Sequence, residues 1–197
     1  MSAVFCLRNN LIYTGGHDGT LIAWNFETGY SKNYLHEHDS TCTSKNYIQE
    51  SKSVDALVIM EERDKLLSMT ADQYLRFWNL DEHKSKKQMT FKYHCKHPPD
   101  DGLTSVAVTK DNNTLVTGDT SGQLKMWDIS MVDLDDQTTE AKFIERYFII
   151  AHKSTINTIQ IVEEKSIKTD RFIITASNDF NIKLHRLSNG VFIGQFG

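Results

Sequence analysis

His152, Thr175 and Asp179 are the residues of this 197-residue chain best suited to chemistry. An imidazole, a hydroxyl and a carboxylate can make a base, a nucleophile and an orienting group. The strained Gly-x-Ser-x-Gly turn that presents a serine nucleophile is missing from the sequence, however, and a buried structural network accounts for the three better. Asp18, Asp72 and Asp179 have no second carboxylate at a spacing that suggests general acid–base pairing. His94-Cys95-Lys96-His97, with His36, His38 and Cys42 elsewhere, offers zinc-type donors. Zinc needs its ligands regularly spaced in a fixed geometry, and this run sits in a polar stretch beside Pro98-Pro99, so it reads as a solvated loop. Asp133, Asp135, Asp136 and Glu140 fall short of a full set of oxygen ligands for calcium and read as a solvated acidic loop. Gly15-Gly16 is followed by Asp18, whose charge repels phosphate. No catalytic residue, no metal site and no cofactor is expected.

What these residues share is a position in a repeat. Four segments align: Thr14 to Asn25, Ser68 to Asn79, Thr117 to Asp128 and Thr175 to Arg186. Each opens on a hydroxyl (Thr14, Ser68, Thr117, Thr175). A short polar turn residue stands four later (Asp18, Asp72, Ser121, Asp179), and a large ring ten later (Trp24, Trp78, Trp127, His185). A short apolar run, a polar turn and an alternating run make a β-hairpin, and Asp18-Gly19 and Ser121-Gly122 carry residues such turns demand. Period-2 alternation puts Leu124, Met126 and Asp128 on one strand face and Lys125 and Trp127 on the other. An apolar run precedes each hairpin and a weaker one follows, giving four strands per unit, over residues 1–37, 53–93, 102–150 and 154–197. The rings at 24, 78, 127 and 185 set spacings of 54, 49 and 58 residues. The excess over a compact repeat falls in polar insertions at Asp39–Lys52, His94–Gly102 and Met131–Thr139, a length that surface loops tolerate cheaply. Only Met131 to Arg146 has room for a helical turn.

Four-stranded units ending in Trp-Asp or Trp-Asn resemble WD40 repeats, over essentially the whole chain. The resemblance implies an all-β fold in which each unit is one blade of a β-propeller. It also implies a hydrogen-bonded tetrad of a His, a strand hydroxyl, a turn Asp and the Trp. The second unit offers Ser68, Asp72 and Trp78, with His38 or His36 as the fourth member. The fourth offers His152, Thr175 and Asp179, with His185 in place of the Trp. In the third, Thr117 and Trp127 match, Ser121 replaces the Asp, and His97 stands two positions early. The first has Thr14, Asp18 and Trp24, with no His before it. WD40 propellers usually close with seven or more blades, so four repeats are expected to be part of a larger propeller. The closing Gly190–Gly197 is similar to a sequence that recurs in large WD-repeat proteins of ciliated and protist cells.

A net charge of −4 argues against a phosphate-tracking surface, so nucleic acid is not an expected partner. No apolar stretch approaches 18 residues, so no membrane span is expected, and Met1 to Val4 reads as no signal peptide. Three cysteines without framework spacing read as reduced thiols of a cytoplasmic protein, with cilium or cytoskeleton as the alternative. Lys84, Lys86 and Lys87 read as a solvated outer strand edge. The expected function is a non-catalytic scaffold for protein partners. In WD40 proteins these dock on loops before the first strand and between the second and third. Here the former are Ser53, Gly102 and Thr155, and the latter His17, Ala71, Thr120 and Asn178. The alternatives are attachment to a cytoskeletal or axonemal assembly through the insertions, and self-association through exposed terminal blades.

Overall fold

The computed structural model describes residues 2–35, 53–70, 73–80, 89–95, 97, 101–135, 143–163 and 171–196. The repeat folds as four antiparallel meanders of four strands. The first holds β1 (Ser2–Cys6), β2 (Leu11–Gly15), β3 (Leu21–Asn25) and β4 (Ser31–Leu35). The second holds β5 (Val54–Met60), β6 (Lys65–Thr70), β7 (Tyr74–Asn79) and β8 (Met89–His94). The third holds β9 (Leu103–Val108), β10 (Thr114–Asp119), β11 (Gln123–Asp128) and β12 (Ile144–Ile150). The fourth holds β13 (Ile156–Val162), β14 (Phe172–Ser177), β15 (Ile182–Arg186) and β16 (Phe192–Phe196). Among the described residues the one helical piece is a 3-10 turn at Glu61–Arg63, and no helix is long and apolar enough to cross a membrane.

Each sheet stacks on the next as a blade. The first strands β1, β5, β9 and β13 pack in succession, so they form the inner wall. Three apolar seams result. Leu21 and Ala23 of the first blade meet Leu66 and Trp78 of the second. Leu75 and Phe77 meet Leu115 and Trp127 across the second seam. Leu124 and Met126 meet Ile156 and Ile173 across the third. A sheet covered on both faces buries every residue, whereas a sheet covered on one face buries alternate residues. Both patterns occur. All six residues of β6 are buried, whereas β2 and β14 alternate buried with half-buried. Gly118 lets the third seam close, because a Cβ there would press against Ile156 of the next blade's first strand.

Two stretches depart from their expected loop character. Met131–Arg146 forms no helical turn in its described part: 131–135 is turn and bend, and β12 begins at Ile144. Asp133 and Asp135 are exposed, as a solvated acidic loop implies, but Val132 and Leu134 beside them are buried in the second seam, and Asp135 pairs with the buried Lys65. Arg63 holds it there, donating to the carbonyls of Ile129 (2.9 Å), Ser130 (3.1 Å) and Val132 (3.1 Å). Cys95 and His97 are the second correction, whereas His94 is exposed. Both are buried: Cys95 joins the apolar cluster of the second seam and donates its N–H to the Gln73 carbonyl, and the His97 N–H donates to Gln73 Oε1. The Asp39–Lys52 insertion, with Cys42, and the lysines at 84, 86 and 87 lie outside the described residues.

Candidate functional site: buried clasps and an exposed rim

The third blade holds a complete network. His97 Nδ1 lies 2.7 Å from Asp119 Oδ2, its Nε2 lies 3.0 Å from Thr117 Oγ1, and Trp127 Nε1 donates to that hydroxyl at 2.9 Å. An indole N–H can only donate and a carboxylate only accept. The hydroxyl therefore accepts from Trp127 and donates to His97 Nε2, while Nδ1–H donates to Asp119. Every member is buried, so the network clasps the link ahead of the blade to the hairpin behind it. Burial pushes the Asp119 carboxyl up, but hydrogen bonds from His97, the Gln123 N–H and Ser121 outweigh it and hold it below the usual range.

This network corrects the expectation for the third blade. Asp119, two residues past the hydroxyl, supplies the carboxylate, and Ser121 donates to it through both its N–H (3.0 Å) and Oγ (2.9 Å). His97, two positions early by the repeat spacing, is buried and reaches both partners. The signal in the sequence was Asp119 ahead of Ser121-Gly122, since an Asp accepting from N–H groups two residues on is the common way to start such a turn.

The fourth blade brings together the three residues first considered for catalysis. His152 Nδ1 lies 3.0 Å from Asp179 and its Nε2 lies 2.8 Å from Thr175 Oγ1. This has the connectivity of a hydroxyl–imidazole–carboxylate triad, but Thr175 is 0% and His152 1% exposed, so no substrate reaches the hydroxyl. Burial lowers the His152 pKa against the opposing pull of Asp179, whose own carboxyl is held far below the usual range. His185 takes the ring position. It packs edge-on against Phe192, its Nδ1 is buried without a hydrogen-bond partner among the described residues, and burial takes its pKa down to about 4.

The other two blades carry less. Thr14 Oγ1 accepts from Trp24 Nε1 and Ser68 Oγ from Trp78 Nε1, both at 2.8 Å. Asp18 is exposed and accepts from the N–H and hydroxyl of Thr20, capping its own turn. Asp72, Ala71, His36 and His38 lie outside the described residues.

The loops at one end of the blades form a rim. Its members sit where each first strand begins and each hairpin turns, ends that the antiparallel register brings together. Hydrogen bonds stitch the rim. The Val54 N–H donates to the Gly16 carbonyl (3.0 Å) across the first seam, Gln73 Nε2 to the Asp101 carbonyl (2.6 Å) across the second, and Thr155 Oγ1 to the Thr120 carbonyl (3.2 Å) across the third. Thr120 and Asn178 donate their N–H groups to Gly102 and Thr155 within their own blades. His17, Thr120 and Asn178 are exposed, whereas Ser53, Gly102 and Thr155 are half-buried. Phe180, which no motif singled out, stands 93% exposed beside Asn178 with φ 64°.

A family model described as "WD domain, G-beta repeat" matches residues 85–128, which spans β8 to β11 and contains all four members of the third-blade clasp. Among solved structures, the "Crystal structure of the computationally designed Ika4 protein" is similar in fold, with a TM-score of 0.60 at 19% identity over 98% of this chain and 90% of that one. Four meanders stacked blade on blade make this chain a β-propeller, and the matched stretch that carries the complete clasp is a WD40 repeat.

Proposed function

We propose that this chain is a non-catalytic scaffold that holds a protein partner against the stitched rim of blade loops. WD40 propellers commonly bind protein partners, and one observation carries the reading to this rim. Exposed His17, Thr120 and Asn178 come from three different blades, yet each of their loops is hydrogen-bonded to the start of a first strand of its own or the next blade. Recognition groups held on a rigid frame lose little freedom on binding. The partner is a peptide or loop rich in hydrogen-bonding groups, because the rim also carries the carboxylates of Asp18, Asp55 and Asp101. Buried free thiols at Cys6 and Cys95 fit a working place in the reducing cytoplasm.

The test is selection of a displayed random-peptide library on the folded chain, followed by titration of the enriched peptide. Substituting His17 and Asn178 together by Ala is expected to weaken that peptide at least tenfold. If binding survives this change but is lost when Asp39–Lys52 is deleted, attachment through the insertions replaces the rim.

A further inference from the structure

The three seams show what each blade offers its neighbours, and the same comparison shows which halves are left open. The residue two past each ring faces the preceding blade. It is buried in the second, third and fourth blades (Leu80, Ile129, Leu187), but Phe26 of the first is 57% exposed. The residue three before each ring, in β3, β7, β11 and β15, faces the following blade. It is 0–1% exposed in Leu21, Leu75 and Leu124, and 43% exposed in Ile182. Phe26 stacks obliquely on the exposed Phe5 at 5.0 Å, and Ile182 lies across from Phe196, 64% exposed. Among the described residues, apolar clusters join blades one to two, two to three and three to four, and none joins four to one.

We propose that two copies of this chain close into one eight-bladed ring, the fourth blade of each packing on the first blade of the other. The two open faces are the two halves of one seam, because each repeats the positions that meet at the three closed seams. A lone copy leaves both halves in water. A second copy related by a two-fold axis fills both at once and leaves neither exposed, whereas a head-to-tail contact that does not close would grow into filaments. Eight blades lie within the range that propellers adopt. The rim is not part of either open half, so this inference and the binding proposal fail separately.

Light scattering on the full chain after size exclusion tests it. The expected mass is twice 22.6 kDa, independent of concentration over the micromolar range. Each seam substitution is present twice in the ring. Phe26→Glu and Ile182→Lys, made singly, are therefore each expected to raise the dissociation constant at least tenfold and to shift the mass toward one copy. Both positions are exposed within a copy, so the far-UV signal and a cooperative melt stay unchanged. Phe26→Ser and Ile182→Ser serve if either charged variant does not fold. A wild-type mass of one copy overturns the proposal. So does a mass that climbs past two copies, or a double mass that survives either substitution.

Discussion

Asp119 and His185 show how much one side chain decides in a repeated clasp. Replacing Asp119 by Ala strands the His97 Nδ1–H and two turn donors in a buried place. A cost of about 1–3 kcal/mol is expected, read as a shift in denaturant midpoint. His185 carries a pH signature. Above its ordinary value of 6.5 it is neutral in both states. As pH falls from 6.5 to about 4, the unfolded chain takes up a proton that burial denies the folded one. Stability therefore drops over that window, by up to about 3 kcal/mol, and levels off below it. His152, lowered by burial, adds in the same direction. Chemical denaturation at a series of pH values reads the slope, and His185→Trp, which installs the ring of the other blades, is expected to flatten it. Phe180 has φ 64° where the first and third blades place Gly19 and Gly122. Phe180→Gly relieves the left-handed backbone, which outweighs the entropy cost of glycine, so a gain of about 0.5–1 kcal/mol in a thermal melt is expected. The same change weakens the selected peptide if the exposed ring anchors it.

At the scale of the element, the hairpins were legible because turn chemistry and period-2 alternation are local. Asp18-Gly19 and Ser121-Gly122 mark their turns without reference to anything distant. Features that depend on where a strand lies between neighbours were not. A fixed offset from Thr117 pointed to Ser121 and missed Asp119, because the turn itself draws the earlier residue back. Cys95, His97, Val132 and Leu134 sit among polar neighbours in sequence, and only tertiary contacts, the second seam for three of them and the clasp for His97, bury them. The 3-10 turn at Glu61–Arg63 was equally invisible, since its value lies in the carbonyls that Arg63 reaches some 66–69 residues away. Arg63→Met removes donors from Ile129, Ser130 and Val132 together. A loss of about 1–3 kcal/mol is expected, with faster hydrogen exchange confined to residues 129–135 and the end of β6.

For the whole molecule, stability accumulates from seams more than from separate blades. The second and third blades are each gripped from both sides, whereas the first and fourth are gripped from one. Amide exchange is therefore expected to be slowest in β6 and β10 and fastest in the strands of the terminal blades. A Phe26→Glu copy, held as a monomer, should show that gradient most steeply. The match over 85–128 takes in the last strand of one blade and ends in the third strand of the next, and His97 travels in the same stretch as the Thr117, Asp119 and Trp127 it fastens. A unit cut at those limits brings its own latch to the joint it straddles. Ancestral duplication of such a unit would have lengthened the array without inventing a junction, each new copy arriving already fitted to the blade before it.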